Sequence, residues 1–145
     1  MSNQFKELLI SWRQYLHENP ETAFEEVNTA KFVYEKLIDM GYRVETGVGK
    51  TGVVASLTVG DGNEIIGLRA DMDAINMQEK NNFSYISKSP GKMHACGHDG
   101  HTTTLLGVAK LLADRKNFNG TVRLIFQPAE EPGKGAQAMI DDGLL

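Results

Sequence analysis

Three groups of residues in this sequence could bind a metal ion or transfer protons. They are the pair Asp71 and Asp73, the histidine-rich residues 94–101, and the adjacent Glu130 and Glu131. Three of the four histidines and the only cysteine lie within the second group. Taken singly, each group is more often structural, as a solvated turn, a buried thiol or a charged surface. Together they offer the carboxylate, imidazole and thiolate groups that bind divalent cations.

The spacing within these groups supports a metal site. Cys96 and His98 are two residues apart, so an extended loop would point both side chains to the same side. Thiolate and imidazole together suit zinc or a similar borderline divalent ion. Glu130 and Glu131 would point to opposite sides of an extended backbone, and two carboxylates this close are costly unless a cation stabilises them. The pattern predicts a metal ligand beside a general base.

Alternating helices and strands must position these groups. Apolar residues at helical spacing predict four helices. The second would begin at a capping box formed by Thr22 and Glu25 and end at Gly41. The others are predicted over residues 4–17, through residues 105–112 and over residues 136–142. Runs rich in valine and isoleucine predict strands over residues 42–46, 53–59, 64–70 and 121–126. This interleaving favours an α/β layer architecture. His17, at the end of the first helix and far from the three groups, is interpreted as structural.

Two of the three groups follow predicted strands. Asp71 and Asp73 come directly after one strand, and Glu130 and Glu131 follow another by a few residues. In open α/β sheets, binding sites form beyond the carboxyl ends of the strands. The histidine-rich residues precede a helix, in a loop that could reach the same edge. We therefore expect all three groups to meet there.

Residues 47–52, with the sequence GVGKTG, match the glycine fingerprint of dinucleotide-binding proteins. Phosphate binding requires a helix N-terminus after the glycines, because the free N–H groups and the positive end of the dipole lie there. These glycines lead instead into a predicted strand, and Val44 occupies the position where a phosphate-binding loop needs its first glycine. We interpret the motif as a turn between two strands and reject nucleotide binding.

Length, charge and cysteine content exclude several classes of protein. A chain of 145 residues predicts about one domain. The net charge of −4 and a pI near 5.5 argue against nucleic acid as a partner. A single cysteine cannot form an intrachain disulfide, and no apolar run is long enough for a membrane span or a signal peptide. We expect a cytoplasmic protein with no membrane partner.

Four stretches resemble the family of metal-dependent aminoacylases, hippurate hydrolases and auxin-conjugate amidohydrolases, a branch of the co-catalytic zinc exopeptidases. The stretches are RQYLHENPE (13–21), GLRADMDA (67–74), MHACGHDGHT (93–102) and QPAEE (127–131). They occur in family order and cover essentially the whole chain. The resemblance implies an α/β three-layer sandwich with a mixed, mostly parallel sheet and helices on both faces. Residues 1–145 would be the N-terminal portion of the catalytic domain.

The resemblance also implies roles for individual residues. Cys96, His98 and Glu131 would be metal ligands, and Glu130 would be the general base and acid. Asp73 would orient a ligand.

His101 would steady the loop, and Asp71 is not assigned to the metal. One departure concerns the turn after the Asp-x-Asp-Ala motif, where this chain has Ile75-Asn76 and the family commonly has Leu-Pro.

The family relationship implies cofactors and partners. The complete site would hold two divalent ions, with zinc, manganese, cobalt or nickel all compatible, and further histidine ligands beyond residue 145. A lid domain, also beyond residue 145, would form a homodimer or tetramer.

The leading hypothesis is an amidohydrolase that removes the acyl group from N-acetyl- or N-benzoyl-amino acids. Two alternatives remain open at this point. One is a thiol hydrolase with Cys96 as nucleophile, and the other is a catalytically incomplete, metal-binding fragment.

Overall fold

The computed structural model describes residues 2–145 and contains every predicted helix and strand. The helices are α1 (Asn3–Glu18), α2 (Val27–Asp39), α3 (His98–Arg115) and α4 (Gly135–Asp141). The strands are β1 (Arg43–Val48), β2 (Gly52–Val59), β3 (Ile65–Asp71) and β4 (Gly120–Gln127). None of the helices in the described part of the chain combines the length and hydropathy that a membrane span requires.

The four strands form one mixed sheet in the order β1-β2-β4-β3. Strands β1 and β2 pair antiparallel, as do β2 and β4, whereas β3 and β4 pair parallel. The predicted mixed α/β sheet is therefore confirmed. The expected majority of parallel pairs is not found within residues 2–145. A short turn joins β1 to β2 and imposes antiparallel pairing, and only the crossover through α3 allows a parallel pair.

Helices cover both faces of the sheet, as predicted. Val53 and Ala55 of β2 belong to the large core cluster, to which α1, α2 and α3 contribute their apolar faces. Val54, between them, points to the opposite face and packs in a smaller cluster with Met139 of α4. The alternation of side chains along a strand thus divides the molecule into helix, sheet and helix layers.

The parallel pair of β3 and β4 fixes the edge at which the chemical groups meet. The two strands end together, with Asp71 paired to Gln127. The Met72 N–H extends this pairing by donating to the Gln127 carbonyl at 3.0 Å. The Thr102 hydroxyl, in the first turns of α3, donates to the Asp71 carbonyl at 2.8 Å. The ends of β3 and β4 and the start of α3 are therefore held side by side.

Residues 49–51 form the turn between β1 and β2, so the glycine motif at 47–52 is a turn between two strands, as predicted. Gly47 and Gly49 have φ values of +80° and +64°, in the left-handed region that glycine adopts without steric cost. A Cβ at Gly52 would lie 2.3 Å from the Val48 carbonyl oxygen, so no side chain fits at the start of β2.

The capping box predicted at Thr22 and Glu25 is wrong. The Thr22 hydroxyl donates to the Glu25 carboxylate at 2.6 Å instead of capping a helix, and α2 begins only at Val27. Phe24 has a φ of +62°, and this left-handed residue interrupts the backbone between Thr22 and the helix.

Glu21 supplies the cap that Thr22 does not. Its carboxylate accepts hydrogen bonds from the N–H groups of Asn28 at 3.1 Å and Thr29 at 2.7 Å, and from the Thr29 hydroxyl at 2.8 Å. A negative charge at a helix N-terminus also interacts favourably with the helix dipole.

We expect Glu21→Ala to lower the free energy of unfolding by about 1 kcal/mol, within the range measured for lost helix caps. Urea unfolding of the chain would measure the change. Glu35→Ala is the control, because Glu35 lies on the exposed face of α2. Equal losses in the two variants would contradict the assignment of the cap.

Candidate metal centre

His98 lies at the centre of the predicted site, as the first residue of α3. Gly97 precedes it with a φ of +86°, a left-handed conformation that turns the chain into the helix. The buried imidazole has its Nδ1 2.8 Å from the backbone oxygen of Asp73 and 3.2 Å from its carboxylate Oδ1. Both neighbours of Nδ1 are acceptors, so Nδ1 carries a proton and donates. Nε2 faces the opposite direction and is available to a cation.

Three carboxylates surround His98 Nε2 at distances too long for hydrogen bonds. They are those of Asp71 at 3.7 Å, Glu130 at 3.6 Å and Glu131 at 3.7 Å. Burial alone would lower the pKa of His98, but the hydrogen bond to Asp73 and the charges of Asp71 and Asp73 raise it to about 9. The surroundings therefore favour a positive charge at this point.

The donor atoms at the centre fit a borderline divalent cation. Cys96 Sγ, a His98 ring nitrogen and a Glu131 carboxylate oxygen all lie within 4.8 Å of one another. Thiolate, imidazole and carboxylate are the ligand types of protein zinc sites. The carboxylates around Nε2 would be stabilised by such a cation. The three residues that the sequence predicted as ligands are thus brought together, and their role as ligands stays a prediction.

Asp73 connects His98 to the loop that carries the glutamate pair. Its buried carboxylate accepts the N–H of Glu130 at Oδ1 and the N–H of Glu131 at Oδ2, each at 3.0 Å. Burial alone would raise the pKa of Asp73, but the hydrogen bonds from His98 and these two N–H groups lower it. This geometry agrees with the expected orienting role, since Asp73 fixes both an imidazole and a loop.

His101 contacts the end of β3. Its Nδ1 lies 2.8 Å from Asp71 Oδ1, and its ring stacks on that of His98 with 5.6 Å between centroids. The other oxygen of Asp71 accepts a hydrogen bond from Arg69 at 2.9 Å. Asp71, His98 and His101 also form a second set of donor atoms within 4.8 Å. The existing partners of Asp71 account for its conformation without a metal ion.

His17 is buried in a separate network that is not part of the donor set. Its Nδ1 lies 2.7 Å from Asp99 Oδ2 and its Nε2 lies 3.0 Å from Glu79 Oε1. Arg13 also pairs with Asp99, at 2.9 Å. A carboxylate contacts each ring nitrogen, so both nitrogens already have partners within this network. The network holds α1 against the residue that follows His98, a contact that sequence spacing did not predict.

His94 belongs to the histidine-rich stretch but stands apart from the donor set. The side chain is buried, and neither ring nitrogen has a hydrogen-bond partner among the described protein groups. Burial, the largest influence, lowers the pKa of His94 to about 4, so the ring is neutral near pH 7.

An open mixed sheet with helices on both faces defines an α/β protein, and thiol, imidazole and carboxylate donors that could hold a metal ion gather at one edge of the sheet. The sequence profile of peptidase family M20/M25/M40 matches residues 67–145, which include all of these donors. The chain belongs to this family.

Individual relatives cover nearly all of this chain. It is 58% identical over 133 residues to the hippurate hydrolase of Campylobacter jejuni, covering 92% of this chain and 34% of the relative. It is 45% identical over 146 residues to the N-acyl-L-amino acid amidohydrolase of Geobacillus stearothermophilus, covering 99% and 39%. The chain therefore spans between about a third and two fifths of the length of these relatives.

A solved structure shares the fold closely. The YXEP protein of Bacillus subtilis, described as a dinuclear metal binding peptidase from the M20 family, superposes with a TM-score of 0.95 at 41% identity. The match covers 100% of this chain and 41% of that protein. The family resemblance noted from the sequence motifs is confirmed.

We expect Asp73→Asn to weaken metal binding about 10- to 100-fold, the usual effect of removing a group that orients a ligand. An amide cannot accept both loop N–H groups as well as the His98 proton. Titration with Co²⁺, followed by its visible absorption, would measure affinity. Asp114→Asn, on the exposed end of α3, is the control, and equal affinity in the two variants would contradict the role of Asp73.

Acid stability tests the His17 network through Glu79. Burial alone would raise the pKa of Glu79, but hydrogen bonds from the Ser87 N–H, Asn81 and His17 lower it from 4.5 to about 2. A pKa that is lower in the folded state stabilises the protein fully above about pH 4.5, and this contribution is lost as the pH falls toward 2.

In Glu79→Gln, we therefore expect the free energy of unfolding to depend less steeply on pH between about 4.5 and 2 than in the wild type. Urea unfolding at a series of pH values would give both slopes. Glu45→Gln, at an exposed position of β1, should keep the wild-type slope. An unchanged slope in Glu79→Gln would count against the network.

Proposed function

We propose that this chain forms the metal-binding part of an amidohydrolase that cleaves N-acyl amino acids, with Glu130 as general base. The observation that carries the proposal is the position of the Glu130 carboxylate. It lies beside the donor set of Cys96, His98 and Glu131 and is 41% exposed, so that a substrate could reach it. The Asp73 carboxylate holds its backbone N–H.

Cys96, His98 and Glu131 would hold a divalent ion. The full site would contain two such ions, of zinc, manganese, cobalt or nickel, with the remaining ligands outside these 145 residues. Bound divalent ions lower the pKa of water toward about 7 and polarise a carbonyl group. The dinuclear description of the YXEP protein supports the expectation of two ions.

Glu130 would transfer the proton in both halves of the reaction. Its carboxylate would take a proton from the water that attacks the amide carbonyl and would then give that proton to the departing amine nitrogen. The amine is a poor leaving group unless it is protonated, so the proton taken from the water would be delivered to the amine nitrogen by the same carboxyl group. The Asp73 carboxylate fixes the consecutive N–H groups of Glu130 and Glu131. Glu131 would therefore bind the cation beside the Glu130 carboxylate.

The names of the relatives support the substrate class. They include a hippurate hydrolase, an N-acyl-L-amino acid amidohydrolase and an N-acetyl-L-cysteine deacetylase, at 58%, 45% and 45% identity. Each name describes cleavage of an acyl group from an amino acid. We extend this to N-acetyl- or N-benzoyl-amino acids here. A homodimer or tetramer, a cytoplasmic location and the assignment of residues 1–145 to the N-terminal portion of a catalytic domain stay predictions.

The thiol hydrolase is the weaker candidate. Cys96, His98 and Asp73 formally resemble a nucleophile, a base and an orienting acid. Interaction of the thiol with the Glu131 carboxylate raises the pKa of Cys96, whereas a nucleophilic cysteine requires a lowered pKa. Inactivation by a chelator and recovery with added metal would favour the metalloenzyme. Inactivation by thiol alkylation with the metal retained would favour the thiol hydrolase.

The incomplete, metal-binding fragment is the other alternative, because the chain spans only 34% of the length of the Campylobacter jejuni relative. A 145-residue chain that binds metal but hydrolyses no N-acyl amino acid would support it.

We expect Glu130→Gln to lower kcat about 10²- to 10⁴-fold, the usual contribution of a general base. Hydrolysis of N-acetyl- and N-benzoyl-amino acids would measure the rate, and elemental analysis would measure the metal. The metal content should stay near that of the wild type, whereas Glu131→Gln should lose metal. Activity that survives Glu130→Gln would refute the proposed role of Glu130.

A further inference from the structure

Glu26 is a completely buried carboxylate that the proposed chemistry does not use. Its side chain is 0% exposed. Its Oε1 accepts the backbone N–H of Ala129 at 2.8 Å, and its Oε2 accepts the hydroxyl of Thr51 at 2.5 Å. Both donors are uncharged, and burial raises the pKa of Glu26. Burying a carboxylate without a cation is costly, so this position calls for a reason beyond packing.

Capping of the adjacent helix is not that reason. Glu26 immediately precedes α2 but makes no side-chain cap, because the Glu21 carboxylate already binds the first N–H groups of the helix. The Glu26 carboxylate is directed instead toward Ala129, a residue 103 positions further along the chain.

Ala129 is an unusual partner because its backbone is left-handed. Its φ of +47° is uncommon for a residue with a Cβ and persists only where the surroundings impose it. It directly precedes the glutamate pair. The consecutive N–H groups of residues 129, 130 and 131 thus bind two buried carboxylates, the first that of Glu26 and the others that of Asp73.

We propose that Glu26 is a positioning residue that holds the Ala129 N–H, keeps Ala129 left-handed and so directs the Glu130 carboxylate toward the reacting atoms. The inference rests on the proposed function of Glu130. Asp73 fixes the loop from the side of the donor set, and Glu26 fixes it one residue earlier, from the side of α2.

The turn between β1 and β2 orients the Glu26 carboxylate. Thr51, the last residue of the turn before β2, binds one carboxylate oxygen and leaves the other directed at Ala129. The turn lies close to the same loop, since a Cβ at Gly52 would be 3.1 Å from the Pro128 ring. The glycine motif, which binds no phosphate in our interpretation, thereby has a role in supporting the glutamate pair.

Two substitutions of Glu26 separate hydrogen bonding from charge. In Glu26→Gln, the amide oxygen can still accept the Ala129 N–H, and the amide N–H₂ can donate to the Thr51 hydroxyl oxygen. In Glu26→Met, the side chain has a similar length but no strong acceptor, so the Ala129 N–H loses its partner. The proposal requires the glutamine variant to retain the function and the methionine variant to lose it.

Hydrogen exchange of the backbone amides of residues 129–131 tests the structural part without metal or substrate. We expect the Ala129 amide to be protected in the wild type and in Glu26→Gln, and to exchange at least 10-fold faster in Glu26→Met. An unprotected Ala129 amide in the wild type would overturn the proposal, and this measurement does not depend on whether any variant folds.

Kinetics of the complete enzyme with N-acetyl- and N-benzoyl-amino acids test the catalytic part. We expect Glu26→Met to lower kcat about 10- to 100-fold, as small displacements of catalytic groups do, with KM and metal content nearly unchanged. Glu26→Gln should stay within about threefold of the wild type. Tyr42→Phe is the matched control, because it removes a buried hydrogen bond to the Ala109 carbonyl, away from the site. It should lower stability without changing kcat.

Three results would overturn the positioning role. They are a glutamine variant as impaired as the methionine variant, a kcat in Glu26→Met no lower than in Tyr42→Phe, and unchanged exchange at residues 129–131 in Glu26→Met. A different result would refute only the function proposed for Glu130. In that case the Ala129 amide would be protected, but the complete wild-type enzyme would hydrolyse no N-acyl amino acid.

Discussion

One buried carboxylate, that of Asp73, joins three segments that are far apart in the sequence. It accepts hydrogen bonds from His98 Nδ1 and from the N–H groups of Glu130 and Glu131. Without it, His98 Nδ1 would keep only the backbone oxygen of Asp73 as a partner, and the two loop N–H groups would lose their acceptor. Because a buried carboxylate is stable only when donors surround it, the same contacts stabilise Asp73 itself. The site and the local fold therefore depend on each other here.

The sheet brings these segments within reach of one another. The α3 crossover makes β3 and β4 parallel neighbours, so the loops that follow both strands leave from the same edge. Antiparallel pairing of these two strands would have placed the Asp71 and Glu130 loops at opposite ends. Three carboxylates then converge near His98 Nε2, and their combined charge makes a cation the natural occupant of the space between them.

Local patterns in the sequence were sufficient for the strands and for the presence of each helix, whereas the choice of Glu131 over Glu130 as a ligand came from the family resemblance. Valine and isoleucine runs marked the strands, and the short spacing of Cys96 and His98 marked two donors. Contacts between distant residues could not be read in this way. Glu21 capped α2 in place of Thr22 because a left-handed Phe24 intervened, and no propensity predicts that conformation for phenylalanine. The hydrogen bond from Ala129 to Glu26 could not be predicted either, because the two residues are 103 positions apart and neither belongs to a local sequence pattern that indicates the contact.

The loop that carries the glutamate pair also folds back on the start of α4. The Gly135 N–H donates to the Ala129 carbonyl at 3.0 Å, and a Cβ at Gly135 would lie 1.6 Å from the Pro128 carbonyl oxygen. Helix α4 covers the face of the sheet opposite α2. Gly135, its first residue, therefore connects the loop of the acidic pair to the helix layer on that face. Any side chain at position 135 would therefore displace the Pro128 carbonyl and, with it, the loop that presents the acidic pair at the edge of the sheet.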